Sequence, residues 1–180
     1  MNRAAKPIDV LVLGLGNELL TDDGAGVHVI RMLQKEPSPE GVLAAEIGTG
    51  ILHAQHLLEQ VVQVIAVDAV QAGDEPGAVY RFDLDQVPLK QPASLHDVGI
   101  AGLMQLIPKS DRPEVTVVGI EPEKIDFGME LSPAVQAAVP GVVSIVKKMI
   151  ASILSRRAVC CVGCKSDSSL RLRCFLSATD

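Results

Sequence analysis

Aromatic side chains are nearly missing from this sequence. It has no Trp, one Tyr and three Phe, so that aromatics make up 2% of its 180 residues. A core must therefore be assembled from Val, Leu, Ile and Ala. Apolar residues reach 48%, which supports a packed domain and excludes the disordered class. Positive charge is also short. The formal net charge is −6, which argues against a general nucleic-acid binder, since that function needs a basic face. No apolar run is read as long enough to span a membrane. The opening "MNRAAKPIDV" lacks the apolar stretch of a signal peptide. The expectation is a cytoplasmic protein with no membrane and no nucleic acid among its partners. Cysteine is confined to Cys160, Cys161, Cys164 and Cys174, so it provides no disulfide framework for the main body. Neither G-x-S-x-G nor H-E-x-x-H occurs, which leaves a serine-hydrolase elbow and a zincin helix unsupported.

What is present alternates between strand and helix. "IDVLVLGLG" is a short apolar run closed by glycines and reads as a buried strand. From Asp23 to about Lys35, Val27, Ile30 and Leu33 recur at helical spacing until "PSPE" stops them. "GVLAAEIG" reads as a second strand, "GILHAQHLLEQ" as a short helix and "VVQVIAVDAV" as a buried, β-branched strand. "AVYRFDLD" alternates apolar and polar, as an edge strand does. A loop, a helix over about 97–107, a strand in "EVTVVGIEP" and a long last helix bent at Pro140 follow. The order predicts an α/β domain of three layers: a twisted, mostly parallel sheet of about five strands with helices on both faces. It spans residues 1–156. Residues 157–180 read as a mobile, Cys-containing tail. Cys161 and Cys164 have the spacing of a zinc half-site, but Cys160 is adjacent and Cys174 stands alone, so no metal is assigned to them.

The stretch "LGLGNELLTDDGAG" begins like a phosphate-binding turn, then places Asp22 and Asp23 where a phosphate would sit. A full dinucleotide fingerprint would need glycine where Leu19 stands. In an open parallel sheet, ligands bind beyond the carboxyl ends of the strands. Asp22 and Asp23 follow the first strand, Asp68 ends the third and His96 lies in the loop before a helix, so all can reach one crevice. Two carboxylates and an imidazole suit a borderline divalent metal. Each has a plainer reading. Asp22 is the preferred type for a helix N-cap, Asp23 a first-turn charge, Asp68 a turn residue and His96 a loop residue. His53 and His56 share a helix face, and His28 lies in the first helix; all three read as packed or solvated.

These residues resemble the maturation endopeptidases of nickel–iron hydrogenases. "LGLGNELLTDDGAG", "VDAV", "SLHDVG" and "GIEPEKIDFGMELSPAVQAAVP" are similar to four blocks of that family, in the same order. The resemblance spans roughly 10–150 and implies a twisted sheet between helices. It implies removal of a C-terminal peptide from the hydrogenase large-subunit precursor, after nickel has entered that precursor. Asp23, Asp68 and His96 would be the metal-contacting and catalytic trio, with nickel brought by the substrate. Glu46 stands where the family usually carries Asp before a Gly-Thr turn, so Glu46, Gly48 and Thr49 would border the bound peptide. The nucleophile would be water, activated either by the metal or by Asp23 or Asp68. A monomer is expected. The competing class is a nickel-binding maturation chaperone that holds the precursor without cutting it.

Overall fold

A computed structural model describes residues 8–84, 100–102, 104 and 107–163. Strand β1 (Ile8–Leu15) is followed by a 3₁₀ turn (Thr21–Gly24) and helix α1 (Ala25–Leu33). Next come β2 (Val42–Gly48), a second 3₁₀ turn (Ile51–Ala54) running into α2 (Gln55–Leu58), and β3 (Val61–Ala69). β4 (Val79–Asp83), β5 (Glu114–Ile120) and the long α3 (Pro133–Gly163) complete the order. Of the helix expected over 97–107, residues 100–102 and 104 are helical, and the rest lies largely outside the described residues.

The five strands form one sheet in the order β2-β1-β3-β5-β4. All neighbours are parallel except β4, which runs antiparallel to β5 at the edge. The alternation in "AVYRFDLD" marked that edge correctly. β1 and β3 are central and buried on both faces, which explains their unbroken apolar runs. Successive side chains point to opposite faces. Leu11, Leu13 and Leu15 of β1 pack with Leu58 of α2 and with Ile100 and Met104. Gly14 faces the other layer. A Cβ there would lie 2.6 Å from Ile30 of α1. Helices thus cover both faces.

Helix α3 departs from expectation in two ways. It runs through Pro140 and on to Gly163, past the boundary drawn at 156. "SRRAVCCVG" contains no Pro or Gly before its last residue, so nothing in it breaks a helix sooner. In addition, the helical stretch Pro133–Arg157 is long and apolar enough to cross a membrane by length and composition alone. This corrects the reading that no run reaches that length. No charged residue falls between Pro133 and Val146. Val135, Val139, Val142 and Val146 form a buried stripe at helical spacing, while Pro140 is exposed on the other side. The compact unit holding the sheet ends at Val146, and a second unit opens at Lys147. Cys164 and Cys174 lie outside the described residues, as does any account of the tail beyond Gly163.

Candidate active site

The site is built where β1, β2 and β3 end. Gly16 leaves β1 with φ of +107°, a conformation that favours glycine. The space beside it decides the geometry. A Cβ on Gly16 would lie 1.7 Å from the carbonyl oxygen of Asp23 and 3.5 Å from Oδ1 of Asp68. Only a missing side chain lets the DDG turn and the end of β3 close on this point. Gly26 does the same one turn later: its Cβ would lie 2.2 Å from the Val67 carbonyl oxygen and 2.5 Å from that of Leu15. Helix α1 therefore rests directly on the backbones of β1 and β3, just before Asp68.

The Asp23 backbone and the Asp68 carboxylate thus both lie close to Gly16, and both expected residues are buried. The backbone N–H of Asn17 donates to Oδ2 of Asp23 at 2.7 Å. That is the kind of N–H that would cradle a phosphate. Here the chain's own carboxylate takes it, which answers why acidic residues follow a glycine-rich turn. The N–H of Ala69 donates to Oδ1 of Asp68 at 2.9 Å. The third expected residue, His96, lies outside the described residues.

The other expected positions, Glu46, Gly48 and Thr49, lie at the carboxyl end of β2. The Gly16 N–H donates to the Gly48 carbonyl at 3.3 Å, and Gly48 turns with φ of +56°. Thr49 follows and is exposed. Glu46 accepts from Nε of Arg31 at 2.9 Å, and Arg31 also donates to both carboxylate oxygens of Glu18. The Glu18 hydrogen bond is the main reason that the guanidinium holds its proton more tightly than usual.

Asp22 differs from expectation. It does not cap its own helix, and it precedes α1 in the 3₁₀ turn. Its Oδ2 accepts from the N–H groups of Glu123 and Lys124 at 2.9 and 3.1 Å, and its Oδ1 from that of Ser132 at 2.7 Å. These partners lie in the segment between β5 and α3, far away in sequence. Thr21 ties down the same segment. Its hydroxyl donates to the Lys124 carbonyl at 3.0 Å and accepts from the Asp126 N–H at 3.1 Å. Thr21 itself has φ of +44°, rare outside glycine, and the long-range bonds hold it there.

Glu121, to which the sequence reading gave no role, is buried at the end of β5. It accepts from the N–H groups of Ala72 and Gly73 and, at 2.6 Å, from the Tyr80 hydroxyl. Like Asp68, it is a carboxylate closing an apolar strand, and that signal was available. Burial alone would raise its pKa. The Tyr80 hydroxyl and the amides outweigh burial and hold the carboxyl below its ordinary value. Tyr80 is pushed up to about 12, first by burial and then by Glu121. A depressed carboxylate contributes stability above its unfolded pKa and loses it as pH falls through the folded one. Tyr80→Phe should therefore be less stable at pH 6 and lose stability less steeply between roughly pH 5 and 3. It should also lack the alkaline loss that the wild type shows as pH rises from 10 to about 12. Denaturant titrations across pH measure both limbs. Identical slopes in the two proteins would dismiss the coupling.

Comparison with known proteins agrees with this architecture. The family model described as hydrogenase maturation protease matches residues 27–149. The chain belongs to the hydrogenase maturation protease family. The match begins at Val27, after the DDG turn, so membership does not depend on the first block. The protease is 31% identical over 147 residues to coenzyme F420 hydrogenase subunit delta of Methanothermobacter thermautotrophicus, covering 77% of this chain and 92% of that one. It is 36% identical over 143 residues to the hydrogenase expression/formation protein HupD of Rhodobacter capsulatus, covering 73% of this chain and 66% of HupD. Its fold matches the hydrogenase maturating endopeptidase HybD from E. coli with a TM-score of 0.74 and 26% identity, over 81% of this chain and 93% of that one. The protein is thus a peptide-bond hydrolase of the hydrogenase maturation class.

Proposed function

We propose that the protease removes the C-terminal peptide from a hydrogenase large-subunit precursor once nickel has been inserted there. Asp23, Asp68 and His96 meet the nickel that the precursor carries, so an empty precursor is left uncut. The observation that supports this reading most is that the Asp23 backbone and the Asp68 carboxylate both close on the side-chain-free position of Gly16, with both residues buried. Two buried carboxylates from separate segments suit a divalent cation and the handling of a proton from attacking water. Water adds to the scissile carbonyl, its proton passes to a carboxylate, and the proton is then returned to the leaving amine. Glu46, Gly48 and Thr49 border the peptide on the β2 side. The reading places a monomeric enzyme in the cytoplasm. The test is the electrophoretic mobility of the precursor after incubation with the protease, with and without nickel. Shortening with nickel only is the expected result. Binding without shortening in either condition would replace the enzyme at this site with a chaperone.

A further inference from the structure

An exposed apolar cluster stands beside the site. Phe127 is 93% exposed, Met129 66% and Leu19 58%. In a chain with three Phe, leaving one almost wholly in water is conspicuous. The three residues lie on two segments joined at a bridge between Leu20 and Gly128. The Gly128 N–H donates to the Leu19 carbonyl at 3.0 Å, and the Thr21 N–H to the Gly128 carbonyl at 2.7 Å. With the bonds from Thr21 and Asp22 described above, these hold the backbone around Phe127 in place. The side chain is presented outward on a fixed support and is not a loose loop tip.

Charge completes the surface. Glu123, Asp126 and Glu130 are exposed in the segment that carries Phe127 and Met129, in which Lys124 is the one basic residue. The whole patch is continuous with the site, since Thr21 and Asp22 anchor it and Asp23 is the next residue. A protein substrate must engage more than the few residues around its scissile bond. Stable protein–protein interfaces bury about 1,200–2,000 Å² in total, and aromatic side chains commonly carry most of the binding energy.

Resting on the proposed function, we propose that Leu19, Phe127 and Met129 with their acidic rim dock the folded body of the large-subunit precursor. The complementary surface on the precursor is an apolar hollow flanked by basic side chains. The docking holds the C-terminal peptide over the crevice while the carboxylates act on it.

The experiment measures KM and kcat of the full chain on nickel-loaded precursor, for wild type, Phe127→Ser and Asp126→Lys. Phe127→Ser should raise KM at least about tenfold and leave kcat within about twofold. Its melting temperature should not change, because the side chain is 93% exposed. Asp126→Lys should raise KM at low salt and less at high salt, as an exposed charge effect is screened. An unchanged KM in Phe127→Ser, with wild type cutting normally, would overturn the docking surface and leave the function standing. A wild type that does not cut would overturn the function itself. Sedimentation gives the last arm: a wild-type dimer lost in Phe127→Ser with KM unchanged would make the patch a self-interface, overturning the proposal.

Discussion

Asp68→Asn should abolish precursor cleavage while leaving the fold intact. Asp68 is completely buried at the end of β3, where its Oδ1 accepts the Ala69 N–H. An Asn oxygen can accept the same bond from the Ala69 N–H. What disappears is the negative charge. That loss matters in either role, as a contact to the precursor's nickel or as the acceptor of a proton from water. General acid–base groups contribute roughly 10²–10⁴-fold to rate, and a fall within or beyond that range is expected in a cleavage time course. Circular dichroism and melting of the same preparation should match the wild type. An Asn variant that keeps more than about a tenth of the activity would remove Asp68 from the chemistry.

The reason Asp68 was legible in the sequence also explains what was not. A central parallel strand is apolar on both sides, so a lone carboxylate at its carboxyl end stands out in "VIAVDAV". The strands were legible for the same reason, and the alternation of Val79–Asp83 marked the edge. Glu121 closes "VTVVGI" in the same manner, but its partners Ala72, Gly73 and Tyr80 lie more than 40 positions away. Nothing local names them. The turn at Thr21–Gly24 was misjudged on similar grounds. Local preference reads "TDDGAG" as a capped helix start, with Asp22 serving its own N–H groups. In the folded chain Asp22 is turned toward Glu123, Lys124 and Ser132, and the first turn is 3₁₀ with Thr21 at positive φ. Tertiary bonds overrode a sound local rule. The order of strands, with β4 outside β5 and not beside β3, likewise depends on long connections that periodicity does not encode.

Those tertiary bonds carry the other large effect. Asp22→Ala should destabilise the protein strongly without touching the chemistry directly. Asp22 is fully buried and satisfies three backbone N–H groups. Hydrogen bonds to a charged group contribute about 1.5–3 kcal/mol each, and a buried donor left unpaired adds its own desolvation cost. The bonds share one carboxylate and are not additive. A total loss of roughly 3–5 kcal/mol is reasonable for a broken buried network. For a chain of this size that lowers the melting temperature by about 10 °C. Asp22→Asn should recover little, because its amide NH₂ must face one of the N–H groups, donor against donor. The amide protons of Glu123, Lys124 and Ser132 should exchange faster in both variants, while those in the centre of β1 and β3 change only with global stability. That pattern separates Asp22 from Asp68, whose loss should stop cleavage and leave exchange alone. Asp22→Ala melting within about 2 °C of wild type, with the three amides still protected, would mean that the segment before α3 is held by Thr21 and its own packing.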